Sequence, residues 1–209
     1  MYARRNEEAK GFVALVVLLR GVNVGGHRRF QPAKFVERLK HLDAVNIGTT
    51  GAFVIRRPVS RTQLRAEIAQ GLPFEAEIMI CHGCELTRLL SHTVFARRRA
   101  GSQEVRFVSV LSRRPKSMPP LPLTMPSEGR WLLKLVACEG RFVLGLYRRD
   151  MKVIGYLGRL DRVFGVPVTT RNWNTMEAIA NAVHAKERGG GESGSHGAAE
   201  PRKRLSMTK

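Results

Sequence analysis

Apolar residues run without a break from Phe12 to Leu19, the longest such run in the chain. Eight of them in a row fit a strand buried on both faces. The glycines at 21, 25 and 26 then free the backbone for positive φ or for close approach to another group. Gln31-Pro32 opens a helical pattern with apolar residues at 35, 36, 39 and 42, and proline suits a first helical turn. Ala52-Phe53-Val54-Ile55 predicts a second strand, stopped by Arg56-Arg57-Pro58. Ser60-Arg61-Thr62-Gln63 has the spacing of a capping box before a helix with apolar Leu64 and Ile68, and Gly71 is its predicted stop. Ala76 to Cys81 predicts a third strand, and a short helix over Glu85 to Leu90 would bury Leu86, Leu89 and Leu90. This half therefore reads β-α-β-α-β plus one helix, a sheet covered by helices.

Strand character resumes from Glu104 to Leu111, after the charged break Arg97-Arg98-Arg99-Ala100-Gly101-Ser102. Ser112 to Gly129 holds five of the ten prolines and suits neither a helix nor a central strand. Trp131 to Cys138 and Arg141 to Tyr147 flank Glu139-Gly140, a hairpin signal. Apolar residues at 153, 156, 157, 160 and 164 predict one helix, ended by Gly165 and Pro167. Met176, Ile179, Ala180 and Val183 follow the i, i+3, i+4, i+7 rule of a last helix, with Asn174 as its predicted cap. These patterns divide the chain into a flexible N-terminus over 1–10, a first half over 11–95, a second half over 104–187 with a proline-rich insertion at 112–129, and a disordered basic tail over 188–209.

Charge changes the picture more than composition does. The formal net charge is +19, with arginine outnumbering lysine 27 to 9. Leaving out residues 1–10 and 189–209 keeps 29 basic against 13 acidic residues, so the body still carries +16. Such a field attracts polyanions by counterion release. A bias toward arginine codons accounts for the same numbers without any ligand. Three cysteines and no layout of a signal peptide predict cytoplasmic residence, and no apolar span of transmembrane length predicts a membrane partner.

Two stretches place chemistry-bearing residues at the ends of predicted elements. The first is Arg20 with Asn23, Gly25 and Gly26, between a strand and a helix start, where amides can point at an anion. It is no Walker loop, since no Gly-Lys-Ser/Thr follows. The second is Arg171-Asn172-Trp173-Asn174, just before the last helix. Arginine offers a planar fork to phosphate, asparagine both donates and accepts, and tryptophan has a flat face for a ring. The structural alternative has Asn174 as a cap, Trp173 in the core and Arg171 paired with a carboxylate. Cys81-His82-Gly83-Cys84 is a C-x-x-C before a helix, a position that can activate a thiol, although buried apolar cysteines fit it as well. The sequence assigns no metal ligand set, no nucleophile and no cofactor.

The block Leu18-Leu19-Arg20-Gly21-Val22-Asn23-Val24-Gly25-Gly26 resembles the N-terminal signature of a bacterial family, domain of unknown function 1697. Thr170-Arg171-Asn172-Trp173-Asn174-Thr175 resembles that family's C-terminal signature, and the likeness spans residues 11 to 186. Where the family reads Gln-Ser-Gly-Asn, this chain has Thr49-Thr50-Gly51-Ala52. The resemblance implies an α+β fold of two ferredoxin-like halves with antiparallel or mixed sheets, and it implies no activity.

The expectation drawn from these readings is a binder of a phosphorylated small molecule or nucleotide, with Arg20, Asn23, Gly25, Gly26, Arg171, Asn172, Trp173 and Asn174 as ligand-binding residues. The alternative is sequence-independent nucleic-acid binding by distributed arginines. Neither block has a carboxylate beside it, so the two are expected to meet in space and share one anion.

Overall fold

The computed structural model describes residues 13–22, 30–91, 101 and 103–185. The predicted break at 97–102, the boundary near 95 and both chain ends lie wholly or mostly outside the described residues.

The apolar run becomes β1 (Leu15–Leu19), buried at every position. It is followed by α1 (Pro32–Val36), which continues as a 3-10 helix over Glu37–Leu42. Then come β2 (Ala44–Ile47), β3 (Ala52–Ile55), α2 (Arg61–Gly71), β4 (Ile78–His82) and α3 (Gly83–Ser91). The strands form one sheet in the order β2-β3-β1-β4, and all neighbours are antiparallel. This is the β-α-β-β-α-β order of a ferredoxin-like half. The sequence reading lacked β2: four residues between a 3-10 helix and a turn carry too short a pattern to stand out. The helix stops at Gly71 as expected, and Leu72 follows in extended conformation. What that position requires is room, because a Cβ there would lie 2.9 Å from the Phe35 ring. The predicted capping box is present, with Ser60 Oγ accepting from the Gln63 amide and the Gln63 side chain accepting from the Ser60 amide.

The second sheet contains β5 (Glu104–Leu111), β6 (Leu123–Met125), β7 (Leu133–Glu139), β8 (Phe142–Arg148) and β9 (Val168–Asn172), in the order β6-β7-β8-β5-β9. Its neighbours are antiparallel too. Without β6 the order repeats that of the first sheet, and the proline-rich stretch stands where the first has α1. The single helix expected over 153–164 is two, α4 (Val153–Leu157) and α5 (Leu160–Phe164), interrupted at Gly158 and Arg159. The last helix is α6 (Trp173–His184).

Each sheet turns one face to helices of its own. Leu15, Val17 and Leu19 of β1 join Phe53, Ile55, Phe35, Leu64 and Ile68. Phe107, Leu135 and Val143 join Val153, Leu160 and Phe164. The opposite faces share one core, in which Val16, Leu18 and Val54 meet Val108, Val110 and Leu144 together with Leu86 and Leu89 of α3 and Trp173, Met176 and Ile179 of α6. An antiparallel sheet usually wets one face; here both are covered, which is why β1 reads as an unbroken apolar run.

Candidate ligand site

β1 delivers Arg20 to the edge of the shared core, and Gly21 follows with φ 72°. The Arg20 side chain is partly exposed and forms an ion pair with Asp161 of α5. Its Nε donates to the carbonyl of Val168 at 3.1 Å, while the other Asp161 oxygen accepts from the Val168 amide at 2.9 Å. A carboxylate 141 positions away therefore holds this arginine. Arg20 is thus engaged within the protein by an acid and a carbonyl, and is not left to a bound anion for want of a carboxylate. Asn23, Gly25 and Gly26 lie outside the described residues.

Arg171 is the penultimate residue of β9 and is buried. Nη2 donates to the carbonyls of Leu19 and Thr50, both at 2.7 Å. Nη1 donates to the carbonyl of Thr170 at 2.9 Å and to Thr169 Oγ1 at 2.8 Å. Burial lowers the guanidinium pKa to about 10, so the group stays charged at neutral pH. The carboxylate partner of the structural alternative is replaced by three backbone carbonyls and the Thr169 hydroxyl. The two blocks do meet, since Leu19 and Arg171 touch, but what joins them is a hydrogen bond inside the protein. The intervening turn takes part as well: the Leu19 amide donates to Gly51 O at 2.8 Å, and Gly51 has φ 70°, with a Cβ position 2.8 Å from Val22.

Past Arg171 the chain changes from strand to helix at once. Asn172, extended at φ −67° and ψ 160°, is the N-cap, and its Oδ1 accepts from the Thr175 amide at 2.8 Å and Thr175 Oγ1 at 2.7 Å. The cap expected at Asn174 is thus two residues earlier, because the helix begins at Trp173. Trp173 is 4% exposed and donates from Nε1 to Glu177 at 2.7 Å. It fills the core and offers no open face for a ring.

Asn172 and Asn174 are exposed and, with Trp173, line an open cleft of about 360 Å³ whose other walls are Glu104, Val105, Arg106, Tyr147 and Arg149. Strand register builds it. β5 pairs with β9 with Phe107 opposite Asn172, so the start of α6 runs beside Arg106, whose guanidinium carbon lies 5.2 Å from the Trp173 ring centre. β8 places Tyr147 opposite Val105, and the Arg149 amide donates to Gln103 O at 3.1 Å. The cleft therefore gathers Arg106, Arg149 and two asparagines. Sequence reasoning missed Arg106, Tyr147 and Arg149. The one available signal was a charge inside the apolar strand Glu104–Leu111, faint among 27 arginines.

The C-x-x-C does not form an activated pair. Cys81 lies in β4, fully buried, and loss of solvent pushes its thiol pKa from 9.0 up to about 12. Cys84 is exposed on α3.

In the comparisons, no curated protein is significantly similar to the chain. A solved structure of a conserved bacterial protein from Streptococcus pneumoniae has a similar fold, with a TM-score of 0.52 and 15% identity, covering 82% of this chain and 98% of that one. At that identity the likeness shows the fold alone. The chain belongs to the family DUF1697, described as a protein of unknown function, whose model matches residues 13–120 and so includes the first block and ends before the second.

Proposed function

We propose that the protein binds a phosphorylated small molecule or nucleotide in the cleft at the start of α6, and that it does so in the cytoplasm. The observation that carries this reading is the grouping of Asn172, Asn174, Arg106 and Arg149 around one open cleft. Arginine forks match phosphate oxygens, and the amides and the Glu104 carboxylate suit sugar hydroxyls. Arg20 and Arg171 leave the ligand set, since Asp161 and backbone carbonyls engage them. Trp173 leaves it as a stacking surface, and half-buried Tyr147 is the ring that faces the cleft. A ligand that binds only the native state raises its stability. Inorganic phosphate, nucleoside monophosphates and sugar phosphates are therefore screened by thermal shift against chloride at equal ionic strength. At least one should raise Tm, and Arg149→Ala should remove the increment. No increment with any of them, or an increment untouched by Arg149→Ala, overturns the reading.

A second reading, sequence-independent nucleic-acid binding by distributed arginines, rests on the +16 carried by residues 11–188. It expects duplex affinity to fall by about 10³-fold or more between 50 and 200 mM salt. Absence of measurable binding at 50 mM salt removes it.

A further inference from the structure

Sharing only Arg149 with that cleft, the turn from β8 into α4 presents the most exposed large apolar side chains among the described residues: Met151 is 81% exposed and Ile154 60%. They stand three positions apart at the start of one helical turn, a spacing that puts both on one side. Val153 between them is buried and fixes the turn to the sheet beneath, so the pair is held outward by its own anchor. The segment that carries them also holds Arg149, Lys152, Arg159 and Arg162, all exposed. Of the acids in the same stretch, exposed Asp150 accepts the Lys152 amide at Oδ1, and half-buried Asp161 pairs with Arg20 and accepts the Val168 amide, which leaves four exposed cations against one exposed acid.

We propose that this turn docks the protein on an anionic lipid surface. Apolar tips on a segment rich in exposed cations match an interface in which acyl chains lie just beneath acidic headgroups. Other occupants fit less well. A second copy of the chain would bring the same cations face to face at a net charge of +19 per chain. A helix of a partner protein needs a groove, whereas these two side chains project. The contact is peripheral, since no helix among the described residues is long and apolar enough to cross a membrane.

The experiment uses the full chain and separates apolar docking from adhesion by charge alone. Wild type and the charge-neutral double variant Met151→Ser/Ile154→Ser are compared by co-sedimentation with vesicles of phosphatidylglycerol and phosphatidylethanolamine, with zwitterionic phosphatidylcholine vesicles, and with duplex DNA, all at 150 mM salt. The proposal expects wild type to bind the anionic vesicles well above the zwitterionic ones. The double variant should lose about tenfold or more of that affinity, since partial burial of two such side chains is worth at least that factor. Its Tm and its DNA affinity should stay at wild-type values. Equal vesicle binding by both proteins overturns the proposal, as does equal binding to zwitterionic vesicles or no vesicle binding at all. Parallel loss of DNA affinity assigns the pair to nucleic acid and overturns it too.

Discussion

Arg171 Nη2 lies 2.7 Å from the carbonyl oxygen of Leu19, joining residues 152 positions apart. The same nitrogen reaches Thr50 O at 2.7 Å, so one side chain of the second sheet closes the end of the first. Arg171→Ala would take this donor from the buried Leu19 carbonyl and from the part-buried Thr50 carbonyl. The expected cost is about 3 kcal/mol or more in urea denaturation. Arg171→Lys should recover little of it, because a compact ammonium cannot reproduce the fork. A loss below about 1 kcal/mol for Arg171→Ala would show that the cluster contributes little.

Two glycine-to-alanine changes should move stability in opposite directions. At Gly145 a Cβ would lie 2.2 Å from Cζ of the buried Phe107 and 2.9 Å from Lys134 O, so the ring must move within a filled core. Gly145→Ala should cost about 1–3 kcal/mol. At Gly155, in α4, a Cβ meets nothing within 4 Å, and alanine should stabilise by about 0.5–1 kcal/mol. Thermal melts of both variants check the pair.

Asn172→Ala removes the oxygen that caps α6 and should cost about 1 kcal/mol. Asn174→Ala, one residue inside the helix, should stay close to wild type in stability. The reverse order would place the cap where the sequence spacing put it.

Thiol titration separates the two cysteines of the C-x-x-C. Alkylation at pH 8 should modify exposed Cys84 and spare Cys81 until the protein unfolds. The sign of the linked effect follows from the raised pKa. Below pH 9 the thiol is protonated in both states and its contribution is complete. Between pH 9 and about 12 only the unfolded chain releases the proton, so stability falls across that window. Cys81→Ala should show a shallower fall in denaturant melts over the same range.

The sequence made the elements legible wherever pattern alone decides them. β1 followed from its apolar run, α6 from Met176, Ile179, Ala180 and Val183, and α2 from its capping box, because those signals are local. β2 and β6 escaped because four and three residues hold too little pattern, and prolines surround β6. At the candidate site the turn residues Asn172 and Asn174 were legible as polar positions beside a helix start. The roles of Arg20 and Arg171 were not. Asp161 lies 141 positions from Arg20, and the oxygens around Arg171 are mostly backbone carbonyls, which leave no mark on residue identity.

That last property bears on how the chain can drift. Leu19, Thr50 and Thr170 each serve Arg171 through the main chain, so the contact does not depend on their side chains, although the core holds Leu19 and Ser109 Oγ engages Thr170 Oγ1. In the turn Thr49-Thr50-Gly51-Ala52, Thr50 offers Arg171 only its carbonyl, while Gly51 holds a positive φ of 70°. A change of side chain at Thr50 therefore leaves the Arg171 contact in place, whereas a change at Arg171 removes it.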